Sequence, residues 1–359
     1  MKLTGPIKVL IVDDSPLVRS TLSLALAKAK RITVVGSAKD PFEAQELIIA
    51  FRPDVIILDS ELPRMDGLTF LSKLMANYPV PVIMCCDSKT SHSQVGLKAV
   101  ELGAVDVVAK PMAGDRRAIH QLGTELVEKV LAAAVAIQRP PPILPTVAKP
   151  LQFREAGLDP ARYLIAVGAS TGGTEAIKSL LSHVPADFPA VAIVQHMPEG
   201  FTNSFAGRLD HFSRLTVTEA VDGDILVPGR AFVARGGVQM TVHASGGRWR
   251  IAHGTNQLVN RHCPSVDVLF DSFAQLSGVH TVGILLTGMG NDGAQGLLRM
   301  RRAGAITIAQ DQRSCVVFGM PKVAAEIGAV QHTAAPAEIP ALLLHILRHR
   351  VAPVASGQN

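Results

Sequence analysis

Short, unbroken aliphatic runs constrain this chain most: Val9–Val12, Val55–Leu58, Val80–Cys86, Leu164–Val167, Ala190–Val194 and Val282–Leu286. Each stops at a glycine or a polar residue. Runs of this length without polar alternation read as strands covered on both faces, the signature of a parallel sheet. None approaches the roughly 18 residues that a membrane helix needs, so no membrane insertion is expected.

The segments between the runs supply the crossover helices. Over residues 7–111 the sequence predicts strands at Lys8–Val12, Thr33–Ala38, Asp54–Leu58, Val80–Cys86 and Val105–Ala109. Helices are predicted at Pro16–Lys28, Pro41–Ala50, from Gly67, at Ser93–Leu102 and at Asp115–Ile137. Arg139–Pro150 is proline-dense, cannot continue a helix and reads as a semi-rigid linker. A second α/β pattern follows, with strands at Tyr163–Val167, Val191–Gln195, Ala231–Ala234, Val282–Thr287 and Ala305–Ile308, and a hairpin of Gln239–His243 with Arg248–Ile251. Its helices are predicted at Thr174–Ser182, Asn203–Leu209, Val266–Leu276 and Gly293–Arg302. Two alternating βα series imply two doubly wound sheets.

At 359 residues, 48% hydrophobic and 18% charged, the chain has material for two cores and is not a disordered polymer. Cys85, Cys86, Cys263 and Cys315 form neither a CxxC pair nor a disulfide framework. With no secretory signal visible at Met1, a cytoplasmic protein is expected. The net charge of +5 is dispersed and aromatics are only 4%, so nucleic acid is not expected as a partner. The charge reads as mild steering toward an acidic protein.

In an open parallel sheet, ligands meet the carboxyl ends of the strands. Asp13 and Asp14 end the first predicted strand, Asp59 the third, and Lys110-Pro111 the fifth. Crowded carboxylates call for a hard cation such as Mg²⁺, and one of them then serves as nucleophile toward a phosphoryl donor. The stretches Val9–Ser15, Asp54–Asp59, Leu62–Gly67 and Lys110-Pro111 resemble response-regulator receiver domains over about residues 7–125. The resemblance implies that Asp59 is the phosphoacceptor, fed by a chemotaxis histidine kinase. It implies that Mg²⁺ is held by Asp14, Asp59 and the Glu61 carbonyl, with Asp13 assisting through water, and that Lys110 supports the phosphoryl group. Two positions depart from the pattern: Cys86 stands where a Ser or Thr closes the fourth strand, and Val107 replaces an aromatic. A thiol is a weak donor, which puts the usual coupling of phosphorylation to signal in question.

Gly168-Ala169-Ser170-Thr171-Gly172-Gly173 follows a strand and opens a helix, satisfying G-x-S-x-G, whose small residues permit a sharp turn that exposes the serine oxygen. A glycine-rich turn also suits a phosphate, but this one lacks the Walker lysine and the G-x-G-x-x-G spacing. A nucleophilic serine needs a base and the base an orienting acid. His196 ends the next strong strand and Asp292 is placed at the end of another. Asp222, Asp224, Asp267 and Asp311 are rival acids, and the competing role for Asp292 is to cap the helix after it.

The stretches Ile165–Ile177, Gln195–Pro198, Gly200–Thr202 with Ser204-Phe205, Val259–Phe270, Leu286–Ala294 and Ser314–Pro321 resemble the catalytic domain of the chemotaxis protein-glutamate methylesterase (CheB) family, from about 160 to 348. The resemblance implies a flavodoxin-like receiver (1–125), a helix end and Pro-rich linker (126–157) and a Rossmann-like methylesterase domain (158–351). It implies that Ser170 attacks glutamate γ-methyl esters on methyl-accepting chemotaxis receptors, His196 is base and then acid, Asp292 orients His196, and backbone N–H groups near Thr171 and Met289 hold the oxyanion. It further implies deamidation of receptor glutamines, no cofactor for the esterase reaction, and relief of receiver inhibition on phosphorylation. The alternatives are a second domain that only binds a partner, a serine esterase for another substrate, and a nucleotide-dependent oxidoreductase.

Overall fold

The structure, a computed structural model, describes residues 5–87, 90–110, 116–136 and 152–351. Pro111, the expected linker through Leu151 and the tail beyond Val351 lie outside the described residues. The chain divides into two compact units, one ahead of the linker and one after it.

The first unit alternates β1 (Ile7–Val12), α1 (Pro16–Ala27), β2 (Ile32–Ala38), α2 (Pro41–Phe51), β3 (Val55–Asp59), α3 (Gly67–Asn77), β4 (Val82–Asp87), α4 (Thr90–Glu101), β5 (Asp106–Lys110) and α5 (Arg116–Val135). Its five parallel strands run in the order β2-β1-β3-β4-β5. The helix starts obey local chemistry. Ser15, Asp40 and Asp66 accept backbone N–H bonds from the first turns of α1, α2 and α3, and proline follows Ser15 and Asp40 where no N–H is needed. The aliphatic runs are buried on both faces, Leu10, Val12, Ile56 and Leu58 in one apolar cluster and Val9, Ile11, Val55 and Ile57 in the other.

The second unit contains β6 (Tyr163–Ala169), α6 (Gly173–Ser182), β7 (Ala190–Gln195), α7 (Thr202–Phe212), β8 (Thr216–Glu219), β9 (Arg230–Val233), β10 (Met240–Ser245), β11 (Arg248–His253), α8 (Val266–Ala274), β12 (His280–Leu285), α9 (Ala294–Arg302), β13 (Ile306–Gln310), α10 (Met320–Glu326), β14 (His332–Ala334) and α11 (Ile339–Val351). Seven of these strands form a wholly parallel sheet, β14-β13-β12-β6-β7-β9-β8. The chain enters at central β6, builds one side through β7, and crosses to build the other through β12. The switch point, where an open α/β sheet leaves its crevice, therefore lies at the carboxyl end of β6. The expected hairpin is present as antiparallel β10–β11.

The sequence reading did not assign β8, β14, α10 or α11. β8 and β14 are the two edges of the sheet and have four and three residues. An edge strand pairs on one side only, so it needs no long aliphatic run. Among the described residues no helix is long and apolar enough to cross a membrane.

Candidate active site

Ser170 directly follows β6 and His196 directly follows the neighbouring strand β7. The His196 N–H donates to the Ala169 carbonyl at 3.0 Å, so the two backbones leave the sheet side by side. Gln195 ties them again: its amide Nε2 donates to the Ser170 carbonyl at 2.9 Å and to the His196 carbonyl at 3.1 Å. Glycines make the close approach possible. A Cβ on Gly173 would sit 2.1 Å from Gln195 Oε1, and one on Gly288 would sit 2.7 Å from Ser170 Cβ. Gly172 has φ +78°, a left-handed conformation that side chains resist. No side chain hydrogen-bonds the N-terminus of α6, the helix that Ser170 precedes, and Glu175 is the acidic residue of its first turn.

Asp292 does not end a strand as expected. β12 stops at Leu285, and Asp292 lies seven residues on, in the loop before α9. Nor does it cap α9, whose N-cap is Gly293 with no side-chain bond. Its carboxylate turns instead to the N-terminus of α8: Oδ2 accepts the Val266 N–H at 2.7 Å and Oδ1 the Asp267 N–H at 3.2 Å. Ser265 Oγ and Asn260 Nδ2 donate to Oδ1, each at 2.8 Å, and His196 Nε2 approaches Oδ2 at 2.8 Å. Burial alone would raise this carboxyl, but the hydrogen bonds and charge of His196, with Asn260 and Ser265, hold it below the usual carboxylate range. Five donors on a side chain only 2% exposed fix a negative charge at the imidazole.

The rival acids have other partners. Asp222 accepts the His253 N–H, Asp224 the Val221 N–H, and Asp311 bonds Ser314. Asp267 comes nearer, accepting the Gly296 N–H at 2.6 Å and sharing the Asn260 amide with Asp292, but no bond joins it to His196. Burial, and then the Asp292 charge, raise the Asp267 carboxyl.

Of the two expected oxyanion residues, Thr171 is buried and its carbonyl accepts from Thr287 Oγ1 at 3.1 Å. Met289 follows Gly288, whose carbonyl accepts the N–H groups of Gly319 and Met320 and whose Cα faces Ser170. Thr287 Oγ1 also accepts the Val317 N–H at 2.9 Å, fastening the 314–321 segment beside the serine turn.

Sequence reasoning gave no role to Gln195, Thr287, Asn260, Ser265 or His262. The His262 ring stacks on His196 with centroids 3.6 Å apart and planes at 11°. All five lie in stretches that carry the family resemblance, Gln195–Pro198, Val259–Phe270 and Leu286–Ala294, without a chemical role attached to them.

In the first unit, Asp13 and Asp59 are buried and Asp14 exposed, and one oxygen from each lies within 4.8 Å of the others. Lys110 Nζ reaches Asp13 Oδ2 at 2.8 Å and Asp59 Oδ2 at 2.6 Å. Burial, opposed by Lys110 and reinforced by Asp13, pushes the Asp59 carboxyl up to about 6. The Glu61 N–H donates to Asp59 Oδ1 at 3.1 Å. Cys86 is penultimate rather than last in its strand, because Asp87 extends β4 by pairing with Lys110. Cys86 and Val107 are both buried in the same apolar cluster.

The CheB methylesterase family model matches residues 165–343, and the response regulator receiver domain model matches residues 9–122. A protein-glutamate methylesterase/protein-glutamine glutaminase of Anaeromyxobacter dehalogenans is 47% identical over 352 residues, covering 96% of this chain and 97% of the relative. One from Chromohalobacter salexigens is 48% identical over 346 residues, covering 95% of this chain and 96% of its own. The crystal structure of the Thermotoga maritima CheB methylesterase catalytic domain matches with TM-score 0.50 at 36% identity, over 51% of this chain and 97% of that one. The receiver-first order, the parallel sheet with its switch point at Ser170, and full-length identity near one half lead to one conclusion: the chain belongs to the CheB family of receiver-linked methylesterases.

Proposed function

We propose that this chain is a phosphorylation-regulated protein-glutamate methylesterase that also deamidates glutamine, acting on methyl-accepting chemotaxis receptors through Ser170, His196 and Asp292. The observation that carries the reading is the His196–Asp292 pair beside the Ser170 turn at the switch point. With Nε2 held by Asp292, the remaining ring nitrogen, Nδ1, is the base; it is buried and has no hydrogen-bond partner among the described residues.

Ser170 Oγ attacks the γ-carbonyl carbon of a glutamate methyl ester while His196 Nδ1 takes the hydroxyl proton. The oxygen of the tetrahedral intermediate takes the negative charge, and N–H groups near Thr171 and Met289, with the uncapped end of α6, stabilise it. The carbon–oxygen bond to the methoxy group breaks, His196 returns its proton to that oxygen, and methanol leaves. Water then attacks the γ-glutamyl-serine ester, His196 accepting and returning a proton, to give free glutamate and Ser170. A glutamine side chain follows the same course, with ammonia in place of methanol.

In the receiver, the carboxylate oxygens of Asp13, Asp14 and Asp59 fit a hard divalent cation. Asp14, Asp59 and the Glu61 carbonyl would hold Mg²⁺, which neutralises phosphoryl oxygens when bound. Asp59 accepts the phosphoryl group from a chemotaxis histidine kinase, and Lys110 takes up the charge left on it. Domain limits of 1–125, 126–157 and 158–351 suit this division of labour.

The test is methanol release from a receptor fragment carrying methyl-esterified glutamate. Ser170→Ala should lower the rate by about 10³-fold or more. Equal release by the two proteins would end the hydrolase reading, and equal release with and without acetyl phosphate would end the regulatory one.

A further inference from the structure

The turn Val259–His262 carries two side chains onto the acid–base pair. Val259 and His262 exchange backbone hydrogen bonds of 3.0 and 2.9 Å, and Asn260 and Arg261 between them have φ of 51° and 71°. Two consecutive left-handed residues make a tight turn that asparagine tolerates and arginine resists. Such backbone persists where its surroundings over-determine it, often at functional sites.

What this turn holds is specific. Asn260 Nδ2 donates at 2.7 Å to Asp267 Oδ2 and at 2.8 Å to Asp292 Oδ1, placing one amide between two like charges. His262, two residues on, lies flat against the imidazole that Asp292 binds. A histidine held at Nε2 alone can still rotate, because its χ2 is broad. A parallel ring 3.6 Å away removes that freedom.

We propose that Val259–His262 is a positioning element for the reaction assigned above, on which this inference rests. His262 fixes the plane of the His196 imidazole, and Asn260 fixes the carboxylate that binds it. Nδ1 is thereby kept in one orientation through the proton transfers. Neither residue exchanges a proton with substrate.

The experiment compares His262→Ala, His262→Leu and His262→Phe in the full chain, using a receptor fragment with tritiated glutamate methyl esters and correcting each rate for the folded fraction measured by calorimetry. Loss of the flat ring should lower kcat about 10- to 100-fold, as expected for a mispositioned base, with KM changed less than about twofold because uniform binding is untouched. His262→Leu fills the same space without a flat ring and should be as slow as His262→Ala, whereas His262→Phe should recover most of kcat. Wild-type kcat in the Leu variant, or a Phe variant as slow as Leu, would overturn the proposal. Failure of the underlying reading is separate: wild type would then release no more methanol than Ser170→Ala.

Discussion

His196 Nε2 lies 2.8 Å from Asp292 Oδ2, so the aspartate engages one ring nitrogen and Nδ1 is the one it does not touch. Asp292→Asn keeps the size of the side chain but removes the charge that selects this tautomer. The expected loss in kcat is about 10³- to 10⁴-fold, the scale seen when a triad aspartate becomes an amide. Single-turnover methanol release checks it.

Acid should act through the same carboxylate. Its folded pKa is held below the ordinary value by His196, Asn260 and Ser265 against the effect of burial. A depressed carboxyl contributes stability that is fully present above the unfolded pKa of about 4 and is lost as pH falls through the folded value. Urea midpoints of wild type should therefore fall more steeply below about pH 4 than those of Asp292→Asn. Parallel slopes would count against the assignment of this charge.

Lys110 is the cation shared by two buried carboxylates of the receiver, Asp13 and Asp59. Lys110→Met leaves both without that partner, and the expected cost is about 3–5 kcal/mol in chelator. Millimolar Mg²⁺ should restore part of it, since the ion binds the folded receiver. Thermal unfolding of the full chain with and without Mg²⁺ measures the difference. Asp59→Asn should abolish phosphate incorporation from acetyl phosphate, which a phosphate-release assay reads directly.

Gly288→Ala tests the close packing behind Ser170. Its new methyl group would stand 2.3 Å from Met320 Sδ and 2.7 Å from Ser170 Cβ. Overpacking of this kind costs about 1–3 kcal/mol, and here it also pushes the serine turn. The expected outcome is a fall in kcat larger than the loss of folded protein accounts for.

Much of the fold was legible in the chain because burial on both faces writes itself as an uninterrupted aliphatic run. That signal marked β1, β3 and β4 of the receiver and the central strands β6, β7 and β12, while β2 and β5 were read from the βα alternation around them. It failed at Thr216–Glu219 and His332–Ala334, where short edge strands carry no such run. Ser170 and His196 were legible for a related reason, since each follows its strand directly and the topology brings strand ends together. Asp292, expected at the end of a strand, approaches His196 from a loop instead. Its position depends on the loop between β12 and α9, whose path no local rule specifies.

The sequence by itself determined two parallel α/β units, the sharp glycine turn at Ser170, and the acidic cluster of Asp13, Asp14 and Asp59, because strand burial, turn sterics and charge crowding act over a few residues. Only the tertiary structure decided which helix Asp292 faces, that Asn260 bridges it to Asp267, and that His262 stacks on His196. Those contacts join residues up to 66 positions apart, from His196 to His262. They form only when packing has fixed the loops that carry them, and no local preference of the chain encodes that outcome.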